Sequence, residues 1–265
     1  MKFQEIKVIN EDLERPVKIP FLKGELVYFA HQCPDQKAVN GDCVGVFQDS
    51  STAGVIALAD GAGGTPGGNK ASGVCVETFL DELNQKKLAL RERIINGFEI
   101  SNKKLLEQRT GSLSTLFAVE IDGNEVRSYH AGDSMILVCG GKGLIKLKTL
   151  SHSPAGHAKE AGMIQDEAEL PIEERQVVTN LVGISGMRIE VGSSLELTQK
   201  DTVLICSDGI TDNLSIDAVC EIIRKGELED CAMKLIEATL SVMNDTQNQN
   251  SKPDDYSFVL YRGRT

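Results

Sequence analysis

The chain has 265 residues, 41% of them apolar and 25% charged, the composition of a soluble globular protein. At that length folding hides roughly 70–75% of the surface that the unfolded chain exposes, so neither disulfides nor a zinc staple is required. Lys and Arg number 28 against 39 Asp and Glu, a net charge of −11 that argues against nucleic-acid backbones and anionic membranes as partners.

No run of 18 apolar residues occurs, and the opening Met1-Lys2-Phe3-Gln4-Glu5 lacks the apolar core of a signal peptide. The seven cysteines form no Cys-x-x-Cys pair, and Cys139, Cys206 and Cys220 lie in apolar stretches where a thiol behaves as a small hydrophobe. A reducing, cytoplasmic setting is the expectation.

In chain order, strands are predicted at 24–31, 44–48 and 54–59, short β-branched or aromatic runs divided by turn residues. Apolar residues then recur at helical spacing over 71–83 and 91–108. Strands return at 116–121 and 125–130 around Asp122-Gly123-Asn124, and at 135–139 and 144–148 around a glycine-rich turn, the pattern of antiparallel hairpins. Residues 151–180 are polar with short helical hints and read as a flap. Strands at 195–197 and 202–206, amphipathic helices at 215–224 and 230–243, and a strand at 256–262 complete the chain. The polar stretch 244–253 reads as a loop returning to the sheet, so a single domain over 1–265 is expected. Strand runs broken by helix pairs point to an α+β protein with antiparallel sheets.

The chemistry-bearing residues are aspartates delivered by apolar strands. Val55–Ala59 ends in Asp60-Gly61, Val203–Cys206 leads to Ser207-Asp208-Gly209, and Ser128–Gly132 leads into Asp133-Ser134. Asp42 opens one strand, and Asp254-Asp255 opens the last. Asp-Gly is also a common turn signal, so composition leaves structural turns and a metal site both open. Aspartates collected at one point repel one another unless a cation lies between them, and an oxygen-only set suits Mg²⁺ or Mn²⁺. The glycine-rich run from Asp60 to Ser72 is not a P-loop, because Lys70 follows Asn69 and precedes Ala71. It lacks the surroundings of a dinucleotide fingerprint as well.

Taken in order, these segments resemble the metal-dependent type-2C serine/threonine protein phosphatases, the PPM family, in its bacterial form. Lys37-Ala38-Val39-Asn40-Gly41-Asp42 resembles R-x-x-N-E-D, and Asp60-Gly61-Ala62-Gly63-Gly64 resembles D-G-x-G-G. Gly68-Asn69-Lys70-Ala71-Ser72 is similar to G-x-x-A-S, and Gly132-Asp133-Ser134-Met135 to G-D-S-R. Ser151-His152-Ser153 stands where D-H-S would be. Ser207-Asp208-Gly209-Ile210-Thr211-Asp212 resembles S-D-G-L-x-D, and Asp254-Asp255-Tyr256-Ser257 resembles D-N-x-T.

The resemblance implies a four-layer α-β-β-α sandwich of two antiparallel sheets flanked by helices, with two or three Mn²⁺ or Mg²⁺ ions at one edge. It implies that Asp60 bridges two metals, that Asp208 and Asp254 complete the first site, and that the Gly61 carbonyl and Asp42 serve the second. Asp133 would lie near a third, weaker position. It implies hydrolysis of phosphoserine and phosphothreonine in proteins by a water held between two ions, with Lys37 binding the phosphate as a point charge. The implied partners are a phosphorylated protein and an opposing kinase, and a monomer is expected.

Lys37 for Arg, Gly41 for Glu, Met135 for Arg and Ser151 for Asp depart from the family pattern, and Ala62 stands where many eukaryotic members have His and bacterial members often do not. They admit a second reading, a pseudophosphatase that binds a phosphoprotein or other partner without turnover. Retention of Asp60 and Asp208 favours the enzyme. His152 is a weak candidate for substrate contact, and His152 and His157 otherwise read as surface residues. His130 reads as a packed histidine, Ser215 as a helix N-cap, and the carboxylates of 166–174 as a solvated face.

Overall fold

The computed structural model describes residues 5–34, 39–63, 65, 67–164, 177–245, 247 and 251–263. Among these residues thirteen strands form two antiparallel sheets. The first contains β1 (Glu5–Ile9), β4 (Asp42–Gln48), β5 (Ala53–Asp60), β6 (Leu116–Asp122), β7 (Glu125–Ala131) and β10 (Glu190–Val191) in that order. Strand β11 (Leu195–Glu196) pairs β7 beside β10. The second runs β2 (Val17–Phe21), β3 (Gly24–His31), β13 (Tyr256–Gly263), β12 (Thr202–Cys206), β8 (Met135–Cys139) and β9 (Ile145–Lys148).

Strands buried on both faces explain the near-continuous apolar runs. In β4, Val44 and Val46 point into the layer between the sheets, where they meet Ile56, Phe117, Ile205 and Val259. Cys43 and Phe47 point the other way, onto α1 (Gly68–Leu83) and α2 (Leu90–Gln108), through Phe79, Leu80 and Phe98. The outer face of the second sheet packs Leu137, Leu204 and Leu260 on α5 (Ile216–Ile223) and α6 (Leu228–Met243). Three apolar layers between four structural layers give the expected α-β-β-α sandwich. Two short helices, α3 (Pro154–Glu160) and α4 (Asp208–Thr211), complete the set among the described residues.

Both expected hairpins form: Asp122 pairs Glu125 across the Gly123-Asn124 turn, and Val138 pairs Leu147. Strands β1 and β2 lay outside the sequence expectations. Both are edge strands, whose charged or proline-bearing sequences, Glu-Ile-Lys-Val-Ile and Val-Lys-Ile-Pro-Phe, carry little of the strand signal of the centre. Pro20 fits such a position, where a missing N–H costs no ladder bond. Helix α1 begins at Gly68, three residues before the predicted start.

Phe117 is fully buried in the layer between the sheets. Phe117→Ala is expected to lower unfolding free energy by about 3–5 kcal/mol, read from urea titration of the intact chain.

Candidate metal centre at the sheet edge

Antiparallel register brings the aspartates to one edge of the molecule. In the first sheet Asp42, the first residue of β4, lies directly opposite Asp60, the last of β5. In the second, Cys206 ends β12 opposite Met135 of β8 and Phe258 of β13. The residues just beyond those ends are Asp208, Asp133 and Asp254. A cleft of about 1300 Å³ takes Asp60, Gly61, Asp133, Asp208 and Asp254 into its lining. Asp42 lies behind it, fully buried.

The edges of the two sheets are stitched by Ser207. Its Oγ donates to Asp42 Oδ2 at 2.7 Å and accepts the Ser257 N–H at 3.0 Å, while its own N–H donates to the Ser257 carbonyl at 3.0 Å. Two close backbone approaches complete the edge. A Cβ on Gly61 would lie 2.1 Å from the Gly68 carbonyl oxygen, so the chain after Asp60 presses directly on the start of α1. A Cβ on Gly209 would lie 2.0 Å from the Asp255 carbonyl oxygen, so the start of α4 presses on the start of β13. Only glycine permits either contact.

Burial and mutual repulsion push such a collection of carboxylates toward the protonated form. Burial, then the charges of Asp42 and Asp208, push Asp60 well above the usual carboxylate range. Asp208 is raised in the same way by burial and by Asp133 and Asp212. Burial pushes Asp42 up to about 7, against the Ser207 hydrogen bond and reinforced by Asp255. Burial also raises Asp133, to about 6, with Asp212 adding to it, and Asp254 is raised too.

The donor set fits hard divalent cations. Asp42 Oδ1 is buried without a hydrogen-bond partner, an orphaned carboxylate oxygen that a cation would satisfy. No three of the aspartates bring oxygens within 4.8 Å of one another among the described residues. That spread suits ions that bind one or two carboxylates and keep their waters, as Mg²⁺ does. The one triple that does converge, His130, His152 and Glu190, is built as a hydrogen-bond network instead. Gly132 N–H and Asn180 Nδ2 both donate to His152 Nδ1, at 3.1 and 2.9 Å, leaving the proton on Nε2 to donate to Glu190 Oε2 at 3.0 Å. A metal on Nε2 would require the proton on Nδ1, against those two donors.

This network corrects one expectation. His152 is buried, stacked on His130 at 4.6 Å, and is not part of the cleft lining, so it supports the Gly132 turn from beneath and does not face substrate. The sequence shows only a histidine in a polar run; the packing that covers it comes from Asn180 and Glu190. His157 is exposed, as expected. His130 is packed, its Nε2 donating to the Leu150 carbonyl at 3.0 Å, and burial followed by the neighbouring His152 pushes it down to about 4. Ser215 caps α5 by accepting the Ala218 N–H. Lys37 and the carboxylates of 166–174 lie outside the described residues, as does part of the flap.

Two residues not singled out beforehand as site residues belong to the edge. Asp255 accepts the Cys33 N–H at 2.7 Å and the Gly41 N–H at 2.6 Å. A Cβ on Gly41 would lie 3.2 Å from Asp255 Oδ2, so this carboxylate occupies the space into which a glutamate at 41 would grow. The sequence signal that could have found it is aspartate at 255 where D-N-x-T has asparagine, set against glycine at 41 where the entry motif has glutamate. Asp212 lines the cleft and pairs with Lys252 at 3.0 Å.

The family description of protein phosphatase 2C matches residues 31–251, and the chain belongs to that family. Protein phosphatase PhpP of Streptococcus pneumoniae is 27% identical over 197 residues, covering 69% of this chain and 78% of that protein. The crystal structure of serine/threonine phosphatase Stp1 from Staphylococcus aureus shares the fold, with a TM-score of 0.79 and 20% identity over 97% of this chain and all of that one. The catalytic domain of serine/threonine protein phosphatase PstP, solved in complex with two manganese ions, aligns with a TM-score of 0.69 and 23% identity over 89% of this chain and 97% of that one.

Between the unfolded carboxylate value near 3.9 and the raised folded values, the metal-free folded chain binds more protons than the unfolded chain, so its stability falls as pH rises. His130, lowered on folding, acts in the opposite sense but only between about 4 and 6.5. The metal-free protein is therefore expected to melt lower at pH 8 than at pH 5. Mn²⁺ should raise Tm more at pH 8, since it competes with protons for the same oxygens. Calorimetric scans with EDTA and with Mn²⁺ at both pH values check this. Gly41→Glu should destabilise the chain, and pairing it with Asp255→Asn should recover about 1–2 kcal/mol relative to the sum of the single changes, measured as a double-mutant cycle.

Proposed function

We propose that this member of the protein phosphatase 2C family, a protein serine/threonine phosphatase, hydrolyses phosphoserine and phosphothreonine esters at a divalent-cation centre built on Asp60, Asp208, Asp254, Asp42 and the Gly61 carbonyl. The observation that carries the reading is the single edge at which both sheets deliver carboxylates, with the buried, unpartnered Oδ1 of Asp42 behind it. Asp60 stands opposite Asp42 and within the field of Asp208, Asp133 and Asp254, so it would help to hold both ions. Asp208 and Asp254 would hold one with it, and Gly61 with Asp42 the other. Asp133 lines the same cleft.

When bound, Mn²⁺ or Mg²⁺ would activate water for in-line attack on phosphorus and neutralise charge on the phosphoryl oxygens. The protein holds the carboxylates in place before the ions arrive, through the Ser207 stitch and the glycine contacts. The thiols offer no competing covalent route. All seven cysteines are buried and none forms a disulfide, and burial pushes Cys43, Cys75 and Cys220 up to about 12, so these three supply no thiolate at neutral pH. Lys37 is assigned to the substrate phosphate, as a point charge in place of the family's arginine. Ala62 lines the cleft where many eukaryotic members of the family have a histidine, so protonation of the leaving group would fall to water.

The cleft is larger than the roughly 300–1,000 Å³ of small-molecule pockets and has Val39, Leu150 and Leu181 together with Lys148 and Lys159 on its walls. That mixture suits a phosphorylated segment of protein, and an opposing serine/threonine kinase would supply it. Every assigned carboxylate comes from one chain, which supports action as a monomer. Among the described residues no helix is long and apolar enough to cross a membrane. Seven cysteines without a disulfide suit a reducing compartment, the cytoplasm, and the net charge of −11 disfavours nucleic-acid or membrane partners. The complete carboxylate set favours turnover over a binding-only role.

Hydrolysis of a phosphothreonine peptide is expected to require Mn²⁺ or Mg²⁺, to stop with EDTA, and to fall by at least 10³-fold, on the order of 4 kcal/mol, in Asp208→Ala. Calorimetry on the same variant should show loss of a bound ion. Wild-type protein that binds two ions but turns over no phosphopeptide would instead establish the binding module.

A further inference from the structure

Asp255 reaches Asp42, Asp60, Asp208 and Asp254 through the backbone beside each. Its own N–H donates to Asp254 Oδ1 at 2.8 Å. Its carbonyl oxygen lies 2.0 Å from where a Cβ on Gly209 would be, so the residue after Asp208 rests on it. Its Oδ2 accepts the N–H of Gly41, the residue before Asp42, at 2.6 Å. Gly41 passes the contact on, because its carbonyl accepts the N–H of Gly61, the residue after Asp60, at 3.1 Å.

The two carboxylate oxygens divide between the sheets. Oδ1 accepts the Cys33 N–H at 2.7 Å, just past β3, the strand that pairs β13 in the second sheet. Oδ2 crosses to the first sheet at Gly41, which precedes β4. Hydrogen bonds from N–H groups to a carboxylate are the stronger, charge-assisted kind. An asparagine in the same pose would accept one of the two N–H groups and turn a donor on the other. Gly41 lies against both partners, since a Cβ there would sit 3.2 Å from Asp255 Oδ2 and 3.7 Å from the Gly61 carbonyl oxygen. The Gly61 backbone and the Asp254 carboxylate come from different sheets and are held from one residue.

We propose that Asp255 is the positioning residue of the centre: its carboxylate fixes the Gly41–Gly61 backbone of the first sheet to the Asp254 end of the second, presetting the Gly61 carbonyl and Asp254 for divalent ions. This rests on the reading of the edge as a divalent-cation centre. Asp255 acts through the groups it holds, so its loss weakens ion binding while Asp42, Asp60, Asp208, Asp254 and the Gly61 carbonyl all remain. Changing a partner that orients metal ligands typically costs about 10–100-fold in affinity.

The test is Mn²⁺ binding by calorimetry to the intact metal-free protein, wild type and Asp255→Asn, with amide hydrogen exchange followed by NMR in EDTA. Wild type is expected to protect the Gly61 amide from exchange before any ion is added. Asp255→Asn is expected to bind Mn²⁺ at least about tenfold more weakly. In the metal-free variant exchange should quicken at Gly61, whose N–H Asp255 does not touch, and much less at Ile205 in β12. An unprotected Gly61 amide in wild type would overturn the inference without recourse to a variant. A change in affinity below about threefold, well short of the usual cost of losing such a partner, would overturn it and leave the metal centre standing. Weaker binding with unchanged exchange at Gly61 would make Asp255 a ligand and not a positioning residue. Equal quickening at Gly61 and Ile205 would reduce its role to general stability, which also overturns the inference. Wild-type protein that binds no Mn²⁺ would overturn the metal centre itself and this inference with it.

Discussion

The rest of the structure answers one constraint, the mutual repulsion of carboxylates gathered at a single edge. Asp42 and Asp60 are cross-strand neighbours, an arrangement that is destabilising for like charges, and Asp133, Asp208 and Asp254 arrive from the other sheet. Nothing local favours their meeting. The free energy that enforces it comes from elsewhere, chiefly from the three apolar layers that fix strand register on either side. Because side chains alternate along a strand, a one-residue slip of β4 against β5 would turn Val44 and Val46 out of the inter-sheet layer. The same register that buries those valines sets Asp42 opposite Asp60. Core and site are thus specified together.

Repulsion is also managed locally, and unevenly. Asp255 is fully engaged by two backbone N–H groups and acts as a fastener between β13 and the start of β4. Asp42 keeps one oxygen for Ser207 and one without a partner. Asp212 has an ammonium beside it. Acidic residues of similar appearance in sequence therefore do different work: Asp255 holds the backbone, Asp212 is compensated within the chain, and Asp42 keeps an oxygen free of any hydrogen bond. A bound cation releases stored repulsion as well as adding its own bonds, which ties metal affinity to the stability of the edge.

Most of the fold was legible because the central strands carry two apolar faces and the helices a clear stripe. The same holds for the carboxylates, each placed where an apolar strand ends. What escaped was tertiary in origin. Edge strands β1 and β2 share their faces with solvent and blur the pattern that identifies a strand. His152 sits in a polar run, and its burial depends on Asn180 and Glu190, some 28 and 38 positions later in the chain. The Lys252–Asp212 pair joins residues 40 apart, with Asn213 hydrogen-bonded to the Lys252 backbone, and leaves no periodic trace. Long-range polar pairs of this kind are set by which loops meet, and loop meetings are what a single sequence encodes least directly.

The departures from the family pattern take on meaning as pairs rather than as losses. Taken alone, glycine at 41 removes a carboxylate from the entry motif. Together with aspartate at 255 it moves that carboxylate to the other sheet, just before β13, where it accepts the N–H of the residue that lost it. The acidic group stays at the edge while its task changes from a candidate ligand to a backbone fastener. Lys252 sets a positive charge beside Asp212, with Nζ 3.0 Å from its Oδ2. The exchange at 41 and 255 leaves Asp60 and Asp208 in place. Decay toward a binding surface would strip charge from the middle of the site, whereas this exchange lies at its rim.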